Sequence, residues 1–221
     1  MTSLRSLLDG LSAASWLKRP SWRLLGILGG AMVVLGVAIA AAWLWFAAEQ
    51  RRGLEAFAQA MVRLQLSQTP NASADDTARV IRELEGTLSL KPSASVSSQV
   101  TYELGNLKYA TQQYPASRSA YELSAGGASP TLRRLAQVSL GYTWEVQKDY
   151  AKAIETFQKA LAPLKPGDFL HDDVMMDLGR VQELAGRKDD AIKTYQRVAA
   201  NPKSVRTDDA KGRLASFGIQ P

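Results

Sequence analysis

Between Leu24 and Ala48 the chain runs for 25 residues without a charged side chain. At about 1.5 Å per residue, a helix of that length covers roughly 37 Å, more than the ~30 Å hydrocarbon core of a bilayer. Inside lipid a backbone must satisfy its own N–H and C=O groups, and a single apolar segment does so only as a helix. Trp22 lies at one end of the run, and Trp43 and Trp45 at the other, where amphipathic rings anchor at membrane interfaces. Arg19 and Arg23 close one boundary; Glu49, Arg51 and Arg52 close the other. The run therefore reads as a transmembrane helix over 24–48. A cleaved signal sequence would end at small residues such as Ala40 and Ala42. Against that, the segment before the run is long and apolar residues continue through Trp43-Leu44-Trp45-Phe46.

The formal charge of +6 is unevenly spread. Residues 1–23, a short basic N-terminus, hold Arg5, Lys18, Arg19 and Arg23 against Asp9, a net of +3. Residues 49–221 hold 23 basic and 20 acidic residues, again +3 but over a far longer stretch. Basicity concentrated just ahead of an apolar run suits a membrane surface rather than nucleic acid. Within about 20 residues of the run, four basic residues precede it and three follow it. That bias predicts a cytoplasmic N-terminus and an exported C-terminal region, which in a bacterium means the periplasm. Within the run, Gly26 and Gly30 form a GxxxG spacing, and Gly36 with Ala40 repeats the small-residue theme. These four are candidates for close packing against another transmembrane helix. Residues 1–17 carry Leu4, Leu7, Leu8 and Leu11 at helical spacing, and read either as a helix on the leaflet or as disordered.

The chain has no Cys and one His, His171. That removes disulfide scaffolds, thiolate nucleophiles, zinc ribbons and His-rich metal sites, and leaves little scope for a His-dependent triad. What the soluble part does contain is a repeat. Over 134–166, Leu140-Gly141 is followed by Tyr150, Ala153, Phe157 and Ala160. Thirty-eight residues later, Leu178-Gly179, Gly186, Ala191, Tyr195 and Val198 take the same places, with Pro202 near the end of a copy spanning 172–203. Thirty-six residues earlier, over 98–130, stand Leu104-Gly105, Tyr114, Ser117, Tyr121 and Ser124, with Pro130 closing the copy. Small residues belong where two helices cross closely, and large apolar residues fill the gaps around them. Upstream, 49–67 and 75–90 read as a helical pair, either a divergent first repeat or an N-terminal cap. Residues 208–216 read as a final capping helix.

These offsets resemble those of the tetratricopeptide repeat, a helix–turn–helix unit of about 34 residues that stacks into a solenoid. The resemblance implies an all-α chain: one N-terminal transmembrane helix, then a repeat domain over 49–221. It also implies that the first helix of each repeat lines a groove. Projection from the Leu-Gly pairs places Tyr102, Asn106 and Tyr109 there from the first copy, and Leu135, Val138, Tyr142 and Glu145 from the second. Asp173, Met176, Arg180 and Glu183 follow from the third. Aromatic and Met-bearing walls suit adaptable recognition of extended peptide. Some such proteins grip a C-terminal carboxylate; Asn106 matches that pattern, whereas Tyr102, Val138 and Tyr142 depart from it. Asp-Asp pairs at 75–76, 172–173, 189–190 and 208–209 read as helix-start residues that cap free N–H groups and complement the dipole, rather than as metal or acid–base groups.

The whole layout is similar to the YfgM-like ancillary subunits of the bacterial SecYEG translocon. At residue level the likeness is carried by Leu178-Gly179, Gly186, Ala191 and the C-terminal helix. It implies a non-enzymatic protein of the bacterial inner membrane, without cofactor or small-molecule substrate. Its partners would be translocon subunits, periplasmic chaperones or exported clients. The mildly basic soluble part departs from those relatives, whose soluble domains tend to be acidic. A scaffold or assembly factor for another envelope complex (secretion, pilus or respiratory) is the alternative expectation.

Overall fold

The computed structural model describes residues 22–67, 73–127 and 129–219. Two sequence readings lie outside the described residues: the amphipathic segment 1–17, and the basic residues Arg5, Lys18 and Arg19 that set the expected orientation. Among the described residues all regular structure is helical. In chain order the helices are α1 (Trp22–Ser67), α2 (Ala74–Ser89), α3 (Ala94–Ala110), α4 (Tyr114–Ala125), α5 (Pro130–Val146), α6 (Tyr150–Leu161), α7 (His171–Leu184), α8 (Lys188–Ala199) and α9 (Thr207–Ser216).

The chain divides into two compact units between Glu49 and Gln50. In the first, α1 is long and apolar enough by composition to cross a membrane. Its large side chains, among them Ile27, Val34, Ile39 and Trp43, stand exposed. Apart from chain neighbours and the helix's own backbone, no heavy atom of the described residues lies within 4 Å of where a Cβ would sit on Gly26, Gly30 or Gly36.

In the second unit, three helix pairs follow one another: α3 with α4, α5 with α6, and α7 with α8. Each buries its apolar face partly within the pair and partly against the next element, the logic of a stacked repeat. One core joins Ala60 and Leu64 of α1 to Val80 and Leu84 of α2, and to Val100 and Leu104 of α3. A second joins Val138 of α5 to Ile154 and Phe157 of α6, and to Val174, Leu178 and Val181 of α7. The third joins Met175 to Ala191, Tyr195 and Val198 of α8, and to Ala210 and Leu214 of α9. Helices α1 and α2 thus cover the Val96–Val100 face of α3, while α9 covers the far end.

At each helix crossing a glycine faces an aromatic ring 16 residues later. A Cβ on Gly105 would meet the Tyr121 ring at 2.4 Å, one on Gly141 the Phe157 ring at 2.5 Å, and one on Gly179 the Tyr195 ring at 2.5 Å. Behind each ring sits a small residue with no exposure: Ser117, Ala153 or Ala191. The first repeat has Ser there because its hydroxyl has an acceptor in reach. Ser117 Oγ donates to the Gly105 carbonyl at 2.9 Å, and Ser124 Oγ to the Ser98 carbonyl at 2.9 Å.

Pro130 opens α5 rather than closing the preceding repeat. Its missing N–H is one that a helix start leaves unpaired anyway. Ser129 caps the helix, its Oγ accepting from the Leu132 N–H at 3.3 Å. The Asp pairs do stand in the first turns of α2, α7, α8 and α9, but only Asp76 takes part in a cap, in a capping box with Ser73. Asp190 pairs instead with Arg187 at 2.7 Å, and Asp209 with Arg206 at 3.0 Å.

The turns inside the three pairs are built alike. Gln112, Lys148 and Gly186 take left-handed φ values of 61°, 61° and 74°. The following N–H groups reach back to the carbonyls of Lys108, Trp144 and Gln182 at 2.8, 3.0 and 2.8 Å. This arrangement satisfies the last carbonyls of the first helix. Two of the three positions hold residues with a Cβ, for which the left-handed region costs about 1 kcal/mol. Replacing Lys148 by Gly is therefore expected to raise unfolding stability by about 0.5–1 kcal/mol in chemical denaturation.

Candidate functional site

Successive first helices, α3, α5 and α7, bring their facing residues together around two cavities. The larger, about 810 Å³, lies among α5, α7, α8 and α9, with Tyr142, Met176, Asp177 and Arg180 in its wall. The smaller, about 320 Å³, lies among α3, α5 and α7, with Tyr109, Glu145 and Leu184 in its wall. Tyr142 and Arg180 line both, so these two side chains form the shared partition.

The partition is held by a charged network. Arg180 hydrogen-bonds Glu145 with Nη1 and Asp177 with Nη2, the latter at 2.7 Å. Tyr142 donates its hydroxyl to the other oxygen of Asp177, and its ring meets Phe157 edge-on with centroids 5.5 Å apart. The Arg180 guanidinium lies 5.9 Å from the Tyr142 ring centroid, within cation–π reach. Burial, together with the hydrogen bond to Asp177, holds the Tyr142 hydroxyl above the usual phenol range. Burial also raises the Asp177 carboxyl, against the opposing hydrogen bond from Tyr142. Tyr142 therefore remains a neutral donor across the working pH range.

The sequence-derived groove residues divide into three groups. Tyr109, Tyr142, Glu145, Asp173, Met176 and Arg180 line the cavities. Tyr102 and Asn106 are engaged on Tyr121: the Tyr102 ring centroid lies 5.9 Å from that of Tyr121, and Asn106 Oδ1 accepts the Tyr121 hydroxyl at 2.8 Å. Burial pushes that hydroxyl up to about 12. Leu135 is half-buried, and Glu183 faces Arg213 at 3.8 Å. Val138 is a correction to the projection: it is buried in the core with Phe157 and Leu178 and offers nothing to a partner. Projection from a single Leu-Gly register ignores which side of α5 the next pair covers.

Several lining residues escaped the sequence reading. Asp177 follows Asp173 by four residues and precedes Arg180 by three, so a helical projection of α7 places it on the same face. Arg206, Asp208, Asp209 and Arg213 come from α9 and its approach, and the packing of α9 across the end of the stack brings them in. No local pattern announces that. Tyr195 was legible as a core residue, and its ring is one, but it also lines the larger cavity.

Helical pairs stacked on close glycine crossings, with cavities along their first helices, define a class of repeat scaffold. Tetratricopeptide repeat sequence profiles match residues 102–169 and 173–204. No curated protein sequence matches the chain. Similar solved structures include a crystal structure of MamA protein, with a TM-score of 0.47 and 20% identity over 66% of this chain and 69% of that one. Another crystal structure of MamA gives 0.49 and 18%, over 66% and 81%. Residues 102–169 and 173–204 thus carry tetratricopeptide repeats, a repeat type that forms protein-interaction scaffolds.

Arg180 keeps two carboxylates paired whose side chains are only 15% and 16% exposed. Arg180→Met is expected to cost about 2 kcal/mol of stability at pH 7, because it leaves both without a counter-charge. The loss should shrink as pH falls through the carboxylate range and they protonate. In the unmodified protein Asp177, with its folded pKa raised, contributes stability that is complete below the ordinary carboxylate range and fades as pH rises through the raised value. Asp177→Asn should therefore gain stability relative to it as pH rises across that window. Urea denaturation at pH 4 and pH 7 checks both signs.

Proposed function

We propose that this is a single-pass protein of the bacterial inner membrane whose periplasmic tetratricopeptide domain, within 49–221, holds segments of other polypeptides against α3, α5 and α7. On this reading it works beside the Sec translocon, on exported chains or with periplasmic chaperones. The observation that carries the binding role is the Tyr142–Arg180 partition, which joins two cavities along the inner helices of consecutive repeats. Tyrosines supply large contact area at low entropic cost, and Met176 supplies adaptable apolar contact.

Support for the anchor comes from the length and exposure of the apolar part of α1. Support for the orientation comes from the basic residues ahead of it. The open positions at Gly26, Gly30 and Gly36, with exposed Ala40, suit close approach of a second membrane helix. Support for the translocon assignment comes from the likeness of layout and from Leu178-Gly179, Gly186, Ala191 and the C-terminal helix.

Because the chain has no Cys, an introduced one is unique. Lys211→Cys is expected to react with a membrane-impermeant maleimide once the outer membrane is permeabilised, and Ser6→Cys only after lysis. The reverse pattern would invert the topology. For partners, a photo-crosslinking residue at Leu184, which is 49% exposed and lines the smaller cavity, leaves the Tyr142–Asp177 bond intact. Capture of translocon subunits or exported chains in native membranes is the expected outcome. Capture of one other envelope complex would replace the Sec assignment, and no capture would remove this surface as the working one.

A further inference from the structure

The smaller cavity, about 320 Å³, is at the low end of the volumes that hold one bound group. Its walls are built from rings: Tyr109 from α3, Tyr142 from α5 and Tyr150 from α6. Tyr142 and Tyr150 both pack on the second core, which holds these walls from behind. Val146 and Leu184 line it at the same place in successive repeats, five residues after Gly141 and Gly179. They are 41% and 49% exposed, so the apolar lining extends to the surface.

Charge decides what such a pocket accepts. Tyrosine faces suit an aromatic side chain and also a cation. Glu145 is the one acidic residue of the lining, and it is engaged with Arg180. Lys148 lines the cavity too, and its ammonium has no hydrogen-bond or ion-pair partner among the described residues. The adjacent Asp149 is taken by Lys152 at 2.7 Å. With two cationic side chains against one carboxylate, the lining repels a cation and attracts an anion. Lys148 also holds a left-handed φ of 61° that a glycine would take without strain, as Gly186 does in the next repeat. No ion pair within the domain offsets that strain.

We infer that this cavity takes an aromatic side chain of a bound polypeptide whose next residue is acidic. The ring fills the space between the tyrosines, and the carboxylate pairs with Lys148. The inference rests on the reading of the groove as a polypeptide-binding surface and adds the side-chain class it selects. Contact with Tyr109, Tyr142 and Tyr150 supplies most of the affinity, while Lys148, exposed at the surface, supplies selectivity.

The test uses the full chain in detergent and three labelled, end-capped decapeptides of Gly and Ser that differ only in a central pair: Phe-Asp, Phe-Asn or Ala-Asp. In fluorescence anisotropy the Phe-Asp peptide is expected to bind about ten-fold tighter than Ala-Asp, the scale of one buried ring. It should bind about three-fold tighter than Phe-Asn, the scale of one exposed ion pair. Lys148→Gly should abolish the Asp preference, keep the Phe preference and raise the melting temperature, so that recognition is lost without loss of fold. Leu184→Asn, at a half-exposed position, should cut the Phe preference about five-fold. Equal binding of Phe-Asp and Ala-Asp, or an Asp preference that survives Lys148→Gly, would overturn the inference and leave the groove reading standing. Binding of none of the three would also overturn it, and capture at Leu184 then decides the groove reading separately.

Discussion

A ring carbon standing where a glycine has no Cβ is the contact on which this domain depends. At Gly105, Gly141 and Gly179 the approach of 2.4–2.5 Å to the would-be Cβ lets two helices of a pair cross closely, with one aromatic ring filling the junction. Phe157 and Tyr195 have no exposed surface, and each is worth about 1.5–3 kcal/mol in burial. With the crossing fixed, the first helix of each pair takes one orientation toward the next pair, and the side chains after each glycine reach a common surface. Asn106, Tyr142 and Arg180 are those three residues, and each has a defined role: one pairs a tyrosine, one forms the partition, and one ties its carboxylates.

The same crossing gives the three repeats different chemical ends. In the first, the Tyr121 hydroxyl is satisfied inside the repeat. In the second, Phe157 has no hydroxyl, and its ring supports Tyr142 edge-on. In the third, the buried Tyr195 hydroxyl is directed at the Glu183 carboxylate, and the residue lines the larger cavity. Packing thus stays constant along the stack while polarity changes, so that one architecture presents a plain end and a charged end. The charged end owes its residues to α9, which closes the stack and also brings Arg206, Asp208 and Arg213 to the cavity.

Much of this was legible from residue spacing. The Leu-Gly pairs, the aromatic 16 residues on, and the small residues between them specify a pair of helices wherever they recur, since each choice serves the same crossing. Helix ends were read less well. Pro130 fits the close of one repeat as readily as the start of the next, and only the cap at Ser129 decides. The Asp pairs mark helix starts correctly, but ion pairing with residues brought in by the fold engages several of them. For the site, projection from the Leu-Gly pairs puts Asp173, Met176 and Arg180 of α7 in the cavity walls but not Glu183, and misplaces Val138, because what covers each face depends on the neighbouring pair. The α9 contribution has no local signal.

The central claim is that glycine and ring specify one another. A double-mutant cycle on the full chain in detergent, combining Gly141→Ala and Phe157→Leu, tests it most directly by urea denaturation. Gly141→Ala alone should cost about 1–3 kcal/mol through overpacking against the ring. Once the ring is gone the added methyl has room, so the two costs should fall short of additivity by about 1 kcal/mol or more, as expected for residues in contact. Additivity to within about 0.5 kcal/mol would contradict the account, because the two positions would then not share the crossing.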